Sequence, residues 1–186
     1  MTPKLEAAYA EPHRRYHTRE HIEQCLALLG KVPDLQDSER RILELAIWWH
    51  DAVYDPTASD NEVRSAEMAK ADLREFDDIS IHAREEVARL IRLTAGHEVE
   101  EEDRLGEIMV SIDLAILGAP APRYDAYAHA VREEYAHVPD EAWRKGRVAV
   151  LQRFLDAQVI FPDPAFAEWL DAQARENLTR ELASLS

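Results

Sequence analysis

His17 and His21 stand four residues apart in Tyr16-His17-Thr18-Arg19-Glu20-His21, a spacing that lets both imidazoles share one face at the start of a helix. His50 and Asp51 are adjacent in Ile47-Trp48-Trp49-His50-Asp51-Ala52-Val53-Tyr54, which is otherwise apolar. Asp113 interrupts a second apolar run, Met109-Val110-Ser111-Ile112-Asp113-Leu114-Ala115-Ile116-Leu117, and His97 closes a third, Leu90-Ile91-Arg92-Leu93-Thr94-Ala95-Gly96. An ionised carboxylate in such surroundings is costly unless it is paired or sits on a cation. Imidazole and carboxylate groups carried by three helices that converge on one core form a mixed nitrogen and oxygen donor set for a divalent metal. Adjacent helical residues point about 100° apart. His50 and Asp51 therefore share an ion only if it lies between their two directions, with His21 and Asp113 completing the site from other helices. Such donors suit Mn, Fe, Co, Ni and Zn, and Mg less well.

The elements that must position these groups read as helices joined by short turns. Thr18 is a cap for a helix over about 18–30, and Asp37 or Ser38 for one over about 38–54. Asp60 caps a helix running to about Phe76, and Ser80 opens the next. A further helix covers about 105–117 and stops at Gly118. Others lie near 123–137, 140–158 and 164–184, the last starting at Asp163-Pro164, where proline suits the first helical position. No segment alternates with period two. The expectation is an all-α, single-domain helical bundle of seven to nine helices spanning residues 1–186. The face of the last helix carrying Phe166, Trp169, Leu170 and Leu178 packs internally or forms a homodimer.

Composition narrows the function. A chain of 186 residues is one domain by length. Its 37 acidic and 22 basic residues give a net charge of −15, which repels polyanions and argues against general nucleic-acid or anionic-membrane binding. A small anionic substrate remains compatible where a metal or a few arginines set the local field. Only 5 glycines occur, and neither common glycine-rich phosphate loop is present. The single cysteine, Cys25, permits no internal disulfide, suits a reducing compartment and reads as a small core residue. The N-terminal residues have no long apolar core, and no run approaches the roughly 18 apolar residues of a membrane span. A cytoplasmic protein without a membrane partner is the expectation.

The order His21, His50-Asp51, Asp113 on helices resembles the HD-domain metal-dependent phosphohydrolase superfamily. Tyr16 to His21 is similar to the Tyr-His-x-x-x-His motif of the cyclic-nucleotide phosphodiesterases in that superfamily. More closely, YAEPHRRYHTREHI, WWHDAVYDPTASDNEVRSA, LTAGH and SIDLAILG resemble a bacterial group of HD-superfamily phosphohydrolases, over about residues 9–160. The resemblance implies a helical core of the HD type over that span, followed by the helix at about 164–184. It also implies a metal-dependent phosphohydrolase in which water activated by the metal attacks a phosphate ester or anhydride of a nucleotide or small phosphorylated metabolite. His21, His50, Asp51 and Asp113 match the metal ligands, Asp51 also holding the attacking water. His17 matches the residue that protonates the leaving oxygen. His97 and His82 fall where binuclear members carry extra histidines, though at a different spacing, which leaves a second metal open; alternatively His97 supports the ligands or touches substrate. Asn61 and Glu62 belong to an NE-x-x-SA pattern of the group, Glu62 reaching the site through a water, with a plain helix start as the other reading of the segment. Tyr54-Asp55 replaces the Glu-Asp pair of the guanosine-tetraphosphate hydrolase branch and so departs from it.

Phosphates in an acidic protein need cations. Arg14, Arg15, Arg132, Lys145 and Arg147 are the candidates, with Arg132 and Arg147 leading because a guanidinium binds phosphate bidentately. The alternative for each is a salt bridge to Glu133, Glu134 or Glu141. Two rival functions use the same residues. His17-Thr18-Arg19-Glu20-His21 also fits the H-x-x-E-H signature of a zinc protease, with Glu20 as base and Glu98 as a third ligand. That reading leaves His50, Asp51 and Asp113 without a role. The other rival is a non-catalytic regulatory module that binds metal and nucleotide without turnover. Monoester, cyclic diester and pyrophosphate substrates are not distinguished by the sequence.

Overall fold

Leu43, Ala46 and Ile47 on one helix and Val87, Leu90 and Ile91 on another repeat at three- and four-residue intervals, so each helix has one apolar stripe to bury. The computed structural model, which describes residues 2–185, places these stripes against each other. Among the described residues nine α-helices follow one another without a strand. They are α1 (Pro3–Tyr9), α2 (Arg19–Leu29), α3 (Asp37–Trp49), α4 (Asn61–Asp72), α5 (Ile81–Leu93), α6 (Arg104–Asp113), α7 (Ala121–Glu134), α8 (Asp140–Asp156) and α9 (Pro164–Ser184). Short 3-10 turns extend α4 over Leu73–Glu75 and α6 over Leu114–Gly118. The fold is therefore all-α and single-domain, with one hydrophobic cluster running from Leu5 to Leu178. α3 is central and packs on α2, α4, α5 and α6, while α9 covers α8 and the turn after α6. Ile22, Leu43, Ile47, Leu90, Ile91, Ile108 and Met109 are fully buried, each aliphatic side chain contributing roughly 1.5–3 kcal/mol relative to exposure. No single helix among the described residues is long and apolar enough to cross a membrane.

Several boundaries differ from the sequence expectation for local reasons. α1 was not anticipated; Thr2 Oγ1 caps it by accepting from Leu5 N–H, and Tyr9 hydroxyl donates to the Trp48 carbonyl at 2.9 Å, which ties α1 to the end of α3. The N-cap of α3 is Gln36, not Asp37 or Ser38, and Gln36 N–H donates to the Glu39 carboxylate at 2.8 Å. α3 ends at Trp49 rather than near residue 54. Ser80 does cap α5, accepting from Ala83 N–H at 3.1 Å, and Asp163 caps α9 through the N–H groups of Ala165 and Phe166.

The packing of α9 on the turn after α6 depends on two residues. Gly118 lies against the backbone of α9, where an added Cβ would stand 2.6 Å from Leu170 Cβ and 2.9 Å from the Leu170 carbonyl oxygen. Asn177 is fully buried, and its Nδ2 donates to the carbonyls of Leu117 and Ala119 at 2.9 and 2.8 Å. Those carbonyls lie at the end of the 3-10 turn and have no other strong donor at hand. Asn177→Leu should strand both and lower stability by about 2–4 kcal/mol, read as a lower urea midpoint with an unchanged slope. Phe166, Leu170 and Leu178 are likewise buried within the chain, whereas Trp169 is 59% exposed.

Candidate metal centre

The candidate ligands sit at helix ends or, for Asp113, at the junction of α6 with its 3-10 extension. His21 is in the first turn of α2. His50 is the C-cap of α3 and Asp51 the residue beyond it. Asp113 is the last residue of α6, at the junction with the 3-10 turn that carries the helical run on to Gly118, where the sequence expectation ends it. The end of α3 leaves carbonyls without helical partners, and Arg14 takes them. Its Nη1 donates to the carbonyls of Asp51 (2.8 Å) and His17 (3.0 Å), and its Nη2 to that of Ala52 (3.3 Å). The guanidinium lies between the rings of Tyr9 and Tyr54. Arg14 is thus not a substrate cation: it joins the loop before α2 to the end of α3. From the other side, Ser65 Oγ accepts from Val53 N–H at 3.0 Å, and Asn61 exchanges hydrogen bonds with both backbone groups of Asp55. Asn61 and Ser65 therefore clamp the loop that carries the His-Asp pair.

His21 Nε2 lies 3.2 Å from His50 Nε2 and 3.2 Å from Asp113 Oδ1, and His50 Nε2 lies 3.4 Å from that oxygen. Asp51 Oδ2 approaches the same imidazoles, 3.1 Å from His50 Nε2 and 3.7 Å from His21 Nε2. An ion about 2.1 Å from two ligand atoms holds them about 3.0 Å apart at a right angle and about 3.4 Å apart at the tetrahedral angle. The observed spacings match that requirement. The hydrogen-bond partners agree: His50 Nδ1–H donates to the Ile47 carbonyl at 2.9 Å, so the neutral ring carries its lone pair on Nε2, facing the cluster. His21 Nδ1 meets the Tyr16 hydroxyl at 3.1 Å, which orients its Nε2 the same way. Asp51 Oδ2 is buried and accepts no hydrogen bond, the position of an oxygen aimed at a cation. His21, His50 and Asp113 together can hold a metal ion.

The electrostatics are those of a tightly paired cluster. Burial alone would raise Asp51 and Asp113, but the His50 imidazole beside Asp51, and hydrogen bonds from His21, His50 and His97 to Asp113, hold both below the ordinary carboxylate range. Burial would lower His50, and the adjacent Asp51 outweighs it. The Cys25 thiol is pushed up by burial, in keeping with a core residue. His97 stands beside the cluster with Nε2 3.3 Å from Asp113 Oδ2, on a left-handed backbone with φ 58°. Its Nδ1 is buried without a partner. His82 is exposed on α5 and is not brought to the site.

His17 is held by a residue that sequence reasoning assigned elsewhere. Its Nδ1 meets Glu134 Oε2 at 2.6 Å, and Tyr54 hydroxyl donates to the same oxygen at 2.9 Å. Glu134 Oε1 accepts from the backbone N–H groups of Arg15, Tyr16 and His17. Glu134 is a 4% exposed residue at the end of α7, not a surface partner of the arginines. The sequence signal was available: Tyr127, Val131 and Glu134 fall on one stripe at i, i+4 and i+7. Burial pushes the Glu134 carboxyl up, and His17 together with the backbone N–H groups overcomes this and holds it at about 2. The stability this adds is present above the ordinary glutamate value and lost as pH falls through about 2. Burial would lower His17, but the Glu134 hydrogen bond and the surrounding carboxylates raise it.

His17, Asp51, Asp113, His97, Glu62 and Tyr54 line one cleft of about 670 Å³, walled on the far side by α8. Glu62 is among the lining residues. The arginine expectations need correction. Arg15 is half exposed and bonds to the carbonyls of Pro12 and Arg14, away from the cleft. Arg132 is spent on the carbonyls of Tyr135 and Val138 and on Asp140. Arg147 lines the cleft, but Glu181 grips it bidentately at 2.7 and 2.9 Å. Lys145 is exposed and outside it. Arg153, which the sequence did not single out, lies on the cleft wall over the Phe154 ring. The H-x-x-E-H arrangement does not form: His17 is committed to Glu134, and Glu20 bonds Gln24 on the exposed face of α2. No protein-family model matches this chain and no curated protein matches it, so the chemistry of the centre itself carries the functional reading.

Proposed function

We propose that the protein is a metal-dependent phosphohydrolase of the HD type, acting on a phosphate ester or anhydride of a nucleotide or small phosphorylated metabolite. The observation that carries this is the convergence of His21, His50 and Asp113, with Asp51 beside them, where Asp51 and Asp113 line a cleft that His17, held by Glu134, also lines. His21, His50, Asp51 and Asp113 would hold one divalent ion. Such an ion supplies charge neutralisation to phosphate oxygens and lowers the pKa of water at neutral pH. The chain supplies the rest. Asp51 and Asp113 concentrate negative charge that recruits the cation. His17 keeps Nδ1 on Glu134, which leaves Nε2 to give a proton to the departing oxygen, and the Glu134 carboxylate raises the basicity of this ring. Tyr54, stacked on His17 with ring centroids 4.2 Å apart, fixes the ring's plane.

The test is inorganic phosphate release from a panel of nucleotides and simple phosphate esters. Chelator-stripped protein should be inactive, and one of Mn, Fe, Co, Ni, Zn or Mg should restore turnover. Turnover that survives complete metal removal would overturn the reading. Metal and nucleotide binding with no turnover under any metal would identify a regulatory module instead.

A further inference from the structure

The cleft has a definite charge and shape beyond the metal centre. Among the described residues that line it, the cationic side chains are Arg147 and Arg153. Arg147 is neutralised by Glu181, which leaves one uncommitted guanidinium on the wall. Asp51, Asp113 and Glu62 face the same space. A divalent ion and one arginine carry three positive charges, which offset these three carboxylates, so phosphate enters without a surplus cation and the smallest phosphate charge is the least opposed. A di- or triphosphate tail would bring further charges close to carboxylates with nothing to offset them.

Leading away from His17, the wall is aromatic. Tyr54 stacks on His17, and Tyr135 meets Trp143 of α8 at 5.4 Å between ring centroids. Beside Trp143 on α8, Ala142, Gly146 and Val150 line the same cleft at four-residue intervals. Gly146 is inside the helix with ordinary helical backbone, and a Cβ added there would meet nothing within 4 Å. Glycine weakens a helix interior relative to alanine. Neither a turn nor a close backbone approach requires it here; it lies exposed on the cleft wall and leaves the space beside it open.

We propose that the cleft takes a phosphomonoester: one terminal phosphate at the His/Asp centre and a flat, uncharged body against Tyr54, Tyr135 and Trp143, with Gly146 on α8 setting the room for that body. The place of the phosphate rests on the hydrolase reading; the selection for a single phosphate and a flat body rests on the charge and shape of the cleft.

The experiment compares a nucleoside 5′-monophosphate, the corresponding 5′-triphosphate and glycerol phosphate as substrates of the metal-loaded full chain, wild type against Gly146→Ala and Gly146→Leu. The monophosphate should exceed the triphosphate in kcat/KM by about tenfold or more, and Gly146→Leu should lower kcat/KM on the nucleoside monophosphate by about tenfold or more while changing glycerol phosphate by less than about threefold. Both variants should keep or raise the thermal midpoint, since each improves helix propensity. Preference for the triphosphate, or a Gly146→Leu effect equal on the two monoesters, would overturn the proposal. If no ester turns over under any metal, the hydrolase reading fails and calorimetric binding of the nucleoside monophosphate decides the rest. Binding that Gly146→Leu abolishes supports the shape of the cleft, and equal binding or none to the wild type overturns it.

Discussion

Asp113→Asn protein, reloaded with the metal that best supports the wild type, should hydrolyse phosphate esters about a thousandfold more slowly or worse, a loss of about 4 kcal/mol at the transition state. Asp113 Oδ1 is the atom that lies within 3.4 Å of both His21 Nε2 and His50 Nε2, and its Oδ2 meets His97. The amide keeps the volume of the side chain but removes a negative charge and one oxygen donor. His50→Ala should lose as much activity. It also unpairs the Ile47 carbonyl and leaves Asp51 without the imidazole 3.1 Å away, so it should be the less stable of the two.

A second readout separates loss of metal from loss of fold. A metal that binds only the native state stabilises it by about 2.7 kcal/mol at a hundred times its dissociation constant. The wild type should therefore melt higher when metal is added, and Asp113→Asn and His50→Ala should show little of that shift while remaining helical by circular dichroism. Because imidazole must be unprotonated to bind metal, the shift should shrink as pH falls into the histidine range. A full metal-induced shift in either variant would remove these two side chains from the ligand set.

The helical class was legible because apolar stripes such as Leu43-Ala46-Ile47 and Val87-Leu90-Ile91 repeat with helical period, and because Ser80 and Asp163-Pro164 are strong start signals. Helix ends were less legible. Ile47 to Tyr54 stays apolar past the point where α3 stops, and nothing local reveals that Arg14, far earlier in the chain, binds the carbonyls of Asp51 and Ala52 there. The end of the Asp113 helix was legible by contrast, since the apolar run continues from α6 through the 3-10 turn and stops at Gly118. The histidines and aspartates of the centre stood out because they break an apolar pattern. The arginines did not sort themselves, because a guanidinium suits a carbonyl or a carboxylate as well as a phosphate. Arg14, Arg132 and Arg147 all proved committed within the chain. Glu134 was hidden beside Glu133 in a charged segment; only its position on the stripe of Tyr127 and Val131 distinguishes it, and its partners come from 80 to 119 residues earlier.

Glu134→Gln should slow turnover of an ester with a poor leaving group by about a hundredfold, close to the loss from His17→Asn, the scale expected when a general acid is disabled. The amide presents one oxygen and one N–H₂ group to two sets of donors: the backbone N–H groups of residues 15–17 on one side, His17 and Tyr54 on the other. Either the loop loses its acceptor or His17 loses the carboxylate that raises its basicity. The change should also cost about 1–3 kcal/mol of stability, so a drop in rate is not sufficient proof of the role. Two measurements distinguish positioning of an acid from support of the fold. A nitrophenyl ester, whose leaving group departs without a proton, should lose far less rate in both variants than an alkyl ester does. The pH–rate profile should also move: with Glu134 present His17 is raised and activity falls on the alkaline side only as that ring deprotonates, whereas burial without the carboxylate lowers it. The alkaline limb of Glu134→Gln should therefore shift to lower pH. The double variant should be little slower than either single one, because both remove the same proton. Equal losses on the two esters, with an unmoved alkaline limb, would reduce Glu134 to a structural clamp and leave His17 without a part in the chemistry.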